Sequence, residues 1–144
     1  MSSILSDVHL AYHVLGRLVA TDLEEAAVSM SEALVLRVAT INPRVTAQGL
    51  ITTTGLPAST LSSLLARLEE RHYVRRERLG GDRRYGLVRP TGVGATIGRM
   101  VASSLSEIEE RLAEQVTPVQ RTGITSLAEG LYVVERPERP SPLY

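Results

Sequence analysis

The sequence predicts a mainly α-helical fold with one small β-hairpin, on three observations. Apolar residues recur at steps of three and four along most of the chain, the period of amphipathic helices. Two of these helical patterns meet at Gly55-Leu56-Pro57, a break that fits a tight turn between helices. Directly after them, Val74 to Leu79 and Leu87 to Arg89 are short β-prone runs on either side of a glycine-rich stretch. A helix-turn-helix followed at once by a two-stranded hairpin is a winged helix-turn-helix.

Each element has a local reason. Ile4, Leu5, Val8, Tyr12, Leu15, Val19 and Leu23 place one long helix over 4–23, and a second runs from about Ser31 to Ile41, capped by Ser29 or Ser31. Asn42-Pro43 stops it, because proline disfavours helix in the residue before it. Thr46 opens a short helix through Thr54, weakened by Gly49 and three successive threonines and ended by Gly55. Pro57 suits the first turn of the next helix, 57 to about 73, where an N–H would lack an intrahelical partner anyway. In that helix Leu61, Leu64, Leu65 and Leu68 form an apolar stripe; Ser59, Ser63, Ala66 and Glu70 lie opposite, flanked by Thr60, Ser62 and Arg67.

Residues 80–86, with three glycines and Asp82, predict a hairpin with a long, basic tip. Pro90 closes the second strand and Thr91 caps a helix of about 24 residues, in which Val93, Ile97, Met100 or Val101, Leu105, Ile108, Leu112 and Val116 keep helical spacing. Its length of roughly 36 Å is enough to link two lobes. After Thr117-Pro118 a last helix runs to about Val134, with Ile124, Leu127, Leu131 and Val134 on one face. The proline-rich tail, 137–144, is expected to be extended.

Composition narrows the chemistry. The 144 residues carry 16 basic and 16 acidic side chains, every basic one an arginine, and there is no Cys, Trp or Phe. Without lysine there is no Walker-type P-loop and no Schiff base; without cysteine there is no disulfide, thiolate nucleophile or thiol redox sensor. No signal peptide is expected at the N-terminus, and no uncharged apolar run reaches the roughly 18 residues of a membrane span. A cytoplasmic protein with no membrane partner is expected.

The zero net charge conceals a distribution. Residues 1–34 carry one arginine and five acids, 35–66 two arginines and no acid, 67–89 eight arginines and four acids, and 90–144 five arginines and seven acids. A basic middle between acidic ends turns one surface toward a polyanion.

The helix after the turn is therefore read as a recognition helix. The small hydroxyl side chains of Ser59, Thr60, Ser62 and Ser63 allow close approach and hydrogen-bond base edges or phosphates, and Arg67 reaches a phosphate or a guanine. At the wing, Arg83 and Arg84 suit a narrow, electronegative minor groove. Asp82 is expected to pair with Arg84 and fix its direction.

The run Leu56-Pro-Ala-Ser-Thr-Leu-Ser-Ser-Leu-Leu-Ala-Arg-Leu-Glu-Glu-Arg-His-Tyr-Val74, then Asp82-Arg-Arg84, then Thr91-Gly-Val-Gly94 resembles the MarR family of dimeric winged-helix transcriptional regulators. The likeness covers 46–97 by motif and the rest by helix order. Pro57 stands where that family usually has a capping serine, Ser63 at an often basic position, and His72 at a common glycine. The resemblance implies that Ser59, Thr60, Ser62 and Arg67 lie on the groove-reading helix, that Arg84 enters the minor groove with Asp82 orienting it, and that the first and last helices form a homodimer. It divides the chain into an N-terminal dimerisation helix (1–30), a winged helix-turn-helix lobe (31–90), a connecting helix with a C-terminal dimerisation helix (91–136), and the tail.

The function implied is a homodimeric regulator of double-stranded DNA, expected to repress from a palindromic operator and to be relieved by a small-molecule effector. Thiol oxidation is excluded as the control, since cysteine is absent. The alternative is a winged-helix interaction module that dimerises but does not read DNA, favoured if the arginines of 67–89 pair internally with Glu69, Glu70, Glu77 and Asp82. An enzyme is not expected, because no nucleophile–base pair accompanies the scattered histidines and carboxylates.

Two further patterns imply other chemistry on the surface. Gly92-Val-Gly94-Ala-Thr-Ile-Gly98 has the wrong spacing for a dinucleotide loop and leads into a second helix, so capping and close packing are expected and no cofactor. His9 and His13 stand at i, i+4, the spacing of a metal pair, but without a third ligand pattern no metal site is expected and an interface role is preferred.

Overall fold

The computed structural model describes residues 3–79 and 82–135, with the backbone alone at 79 and 82–85. Helices α1 (Ile4–Leu18) and α2 (Ala20–Ala26) divide the single helix expected over 4–23. Val19, between them, departs from helical geometry at φ −104° and ψ 1°. Its N–H still reaches Leu15 O at 3.3 Å, and Leu23 N reaches Val19 O at 3.1 Å. The i to i−4 ladder survives the bend, which is why the apolar spacing passes through it without a signal. Val19 is buried there, whereas no residue of α1 is.

Helix α3 (Met30–Ile41) starts on a reciprocal cap that decides for Ser29 over Ser31. Ser29 Oγ accepts from the Glu32 N–H at 3.2 Å while Glu32 Oε2 accepts from the Ser29 N–H at 2.9 Å, two donors of the first turn satisfied together. In α4 (Ala47–Thr54), capped by Thr46, the threonines fit because their hydroxyls bond backwards: Thr52 to Gln48 O, Thr53 to Gly49 O and Thr54 to Leu50 O, at 3.1, 2.9 and 2.6 Å. Gly55 ends the helix at φ 71°.

After the tight turn, α5 (Ala58–Glu70) buries all four leucines of its stripe. It stops short of the expected Tyr73 because His72 turns left-handed at φ 57°. The His72 N–H returns to Glu69 O at 3.0 Å and the Tyr73 N–H to Leu68 O at 2.8 Å, a Schellman closure with histidine in a seat that favours glycine.

Strands β1 (Val74–Leu79) and β2 (Asp82–Pro90) pair antiparallel, Val74 opposite Pro90 and Glu77 opposite Leu87, with an irregularity between Glu77 and Leu79. Residues 82–86 of the expected tip are thus strand: β2 begins at Asp82, not Leu87. Asp82 pairs with Leu79 of β1 beyond that irregularity. A third extended piece, which the sequence reading lacks, joins the hairpin to the α3–α4 connection: the Val88 N–H donates to Val45 O at 2.9 Å and Thr46 bridges Leu87.

Helix α6 (Gly92–Ala113) is capped by Thr91, whose Oγ1 accepts from the Gly94 N–H at 3.1 Å and donates to the His72 carbonyl at 2.8 Å. Its glycines serve close packing. A Cβ on Gly94 would overlap the Tyr73 carbonyl oxygen, and one on Gly98 would overlap Thr40 Oγ1 and Leu36 O. Further along, Ser104 Oγ donates to Asp22 Oδ2 of α2.

The core of the lobe joins Val35, Leu36 and Ala39 of α3, Leu50 of α4, the α5 leucines, Val74 and Val88 of the hairpin, and Ile97 and Val101 of α6. The chain forms two compact units, 1–106 and 107–144. The second contains α7 (Pro118–Glu135), opened by a reciprocal Thr117–Gln120 cap and without a buried residue. Among the described residues no helix is long and apolar enough to cross a membrane.

Candidate nucleic-acid interface

Burial of the leucine stripe decides which face of α5 meets solvent. Ser59, Thr60, Ser62, Ser63 and Arg67 are all exposed, so the five expected recognition residues share the outer surface of one helix. Within it, Ser63 Oγ donates to Ser59 O at 3.1 Å, which spends its proton on the helix and leaves its lone pairs to accept from a partner.

Arg67 differs from the others. Its Nε donates to Glu32 Oε1 at 3.3 Å, while its own side chain stays 56% exposed against 8% for Glu32. Arg71 Nη1 lies 3.7 Å from Glu32 Oε2. Arg71 Nη2 donates to Ala27 O at 2.7 Å and to Tyr73 Oη at 3.1 Å, and its guanidinium sits 4.5 Å from the centre of the Tyr73 ring. Glu32 is the one buried charged residue among those described, so the first turn of α3 carries a carboxylate that Arg67 of α5 and Arg71, the residue that follows α5, neutralise.

The hairpin arginines are also engaged. Glu77 lies 3.2 Å from Arg75 and 2.7 Å from Arg89, and Arg76 lies 3.4 Å from Glu69. Arg75 and Arg89 face each other across the strands, a like-charge pairing that Glu77 relieves. Exposed Arg78 makes no ion pair among the described residues. The backbone of Asp82, Arg83 and Arg84 lies in β2; their side chains, and with them the expected Asp82–Arg84 pair, fall outside the described residues, as does the 137–144 tail.

The sequence model of the MarR family matches residues 28–84, from the residue before the Ser29 cap into the second strand of the hairpin. Over that stretch the winged helix of this chain is similar to the MarR family. Solved structures share its fold at low identity. S. aureus MepR in complex with DNA is 15% identical with a TM-score of 0.75, over 94% of this chain and 100% of that one. A MarR family transcriptional regulator from Listeria monocytogenes, complexed with 26mer DNA, is 14% identical with a TM-score of 0.73, over 92% and 88%. NadR in complex with 4-hydroxyphenylacetate is 19% identical with a TM-score of 0.72, over 91% and 93%. No curated protein sequence is significantly similar to the chain.

Within this stretch, sequence reasoning missed Glu32 as a partner of α5. The Ser29-x-x-Glu32 spacing signals a capping box, but not the second use of the same carboxylate 35 residues away. His9 and His13, both exposed on α1, have ring centroids 4.3 Å apart. Among the described residues no group of three or more His, Cys, Asp or Glu could hold a metal ion.

Proposed function

We propose that the chain is a homodimeric, sequence-specific DNA-binding transcriptional regulator, a repressor acting at a palindromic operator and relieved by a small-molecule effector. The observation that carries this reading is the exposed row Ser59, Thr60, Ser62 and Ser63 on the second helix of a MarR-family helix-turn-helix, with side chains short enough for the helix backbone to approach base edges. Homodimerisation is supported by α1 and α7, which bury no residue of their own yet expose Leu5, Leu10, Leu18, Val119, Ile124 and Leu131. An effector is supported by the similar fold of NadR, solved with 4-hydroxyphenylacetate. It would act by binding one spacing of the two recognition helices better than another.

The test is selection of bound duplexes from random-sequence DNA. Palindromes with half-sites one helical turn apart are expected, with affinity that falls steeply as salt rises and falls severely in Arg84→Ala. No enrichment would refute the reading.

The second reading, a winged-helix module that binds protein without reading DNA, draws on the pairing of Arg75 and Arg89 with Glu77 and of Arg76 with Glu69. These pairs are substantially exposed, and such pairs contribute little and exchange readily for phosphate. They do not outweigh the recognition surface.

A further inference from the structure

We propose that Glu32 is a positioning residue for base discrimination, acting through Arg67. The inference rests on the DNA-reading function proposed above. Three observations carry it. Glu32 is buried and needs no second partner to cap α3, since Ser29 already occupies its Oε2. Its other oxygen, Oε1, is nonetheless aimed at the recognition helix, where it accepts from Arg67 Nε at 3.3 Å. Arg67 stays half exposed on the face that bears Ser59, Thr60, Ser62 and Ser63.

The chemistry follows from the shape of the guanidinium. Holding Nε takes up one edge of the fork and leaves the terminal nitrogens to face outward as a planar pair, the arrangement that recognises a guanine edge with two hydrogen bonds. A free arginine at this position would sweep many rotamers and settle on the nearest phosphate, which carries no sequence information. The carboxylate is itself fixed by the helix cap, so the direction of Arg67 is referred to the α3 backbone. Arg71 lies on the same carboxylate and balances its remaining charge, so that Arg67 can engage DNA without stranding a buried anion.

The experiment is a double-mutant cycle on discrimination, measured with the duplex that wild-type protein enriches from random DNA and with a scrambled duplex of equal length. Glu32→Gln keeps an oxygen for the Ser29 cap and removes the charge that orients Arg67. The ratio of the two affinities is expected to fall about tenfold in Glu32→Gln and about tenfold in Arg67→Ala, with no further fall in the double variant. A role for Glu32 in folding alone would lower binding to both duplexes equally and in both backgrounds. An unchanged ratio in either single variant, or a full Glu32→Gln effect in the Arg67→Ala background, overturns the proposal while wild-type discrimination still stands. If wild-type protein enriches no sequence, the DNA-reading function fails first and the proposal falls with it.

Discussion

Arg67 of α5 and Glu32 of α3 meet at 3.3 Å, so the exposed polar face of α5 is anchored to the first turn of α3. Glu32 thus has two structural tasks, capping α3 and neutralising α5. Replacing it by alanine removes the cap acceptor for the Ser29 N–H and leaves two arginines without their carboxylate. Glu32→Ala is expected to lower stability by about 1–2 kcal/mol, mostly through the cap, because the half-exposed Arg67 pairing is screened by water. Urea unfolding checks it; a loss below about 0.3 kcal/mol would show that neither contact matters to the fold.

His72 closes α5 at φ 57°, a backbone region that L side chains occupy at an energetic penalty and glycine does not. Its side chain is exposed and makes no hydrogen bond or ion pair among the described residues. His72→Gly is therefore expected to raise stability by about 0.5–1 kcal/mol. A shift of the urea midpoint to lower concentration would contradict this account of the α5 terminus.

The close approach of α6 makes opposite demands. An alanine at Gly94 would drive its Cβ into the Tyr73 backbone, whereas one at Gly98 meets the Thr40 side chain as well as Leu36 O. Both substitutions are expected to destabilise by about 2 kcal/mol or more. Thr40→Ala should recover part of the Gly98→Ala loss and none of the Gly94→Ala loss. Equal rescue of both, by thermal or urea unfolding, would mean that α6 does not pack as described.

Helices α1 and α7 leave their apolar residues in solvent, which a lone chain in water does not favour over so many positions. Sedimentation equilibrium at micromolar concentration is expected to give twice the chain's 15.7 kDa. The double variant Ile124→Glu, Leu131→Glu should shift the mass to one chain while the winged lobe stays folded. A monomeric wild type would remove the basis for a palindromic operator.

Arg78 is exposed on β1 and makes no ion pair among the described residues, a position from which its guanidinium can meet a phosphate. Arg78→Ala is expected to reduce the slope of log affinity against log salt by about one, equally for selected and scrambled duplexes. An unchanged slope would place the DNA elsewhere on the hairpin.

Most elements could be read from local signals. The leucine stripe of α5, the Gly55 stop, the Asn42-Pro43 break and the Thr91 cap are short-range effects of periodicity and backbone chemistry, and they persist because no tertiary contact opposes them. The exposed recognition face follows from the stripe by geometry alone. Elsewhere the sequence reading departs from the structure: β2 extends back to Asp82, which pairs with Leu79 of β1, and the 4–23 helix divides at Val19, which is buried.

The partner of Arg67 could not be read locally at all. Glu32 is separated from it by 35 positions, and a capping-box glutamate has the same local signature whether or not its second oxygen finds an arginine. Sequence by itself determined most of the helices, the turn, the Thr46 and Thr91 caps and the polar face of α5, each encoded within a few residues by periodicity and dihedral preference. Only the tertiary structure decided which arginines are held and by which acids, because a charge pair is chosen by distance in space, and that distance exists only after the leucines of α5 have packed against α3.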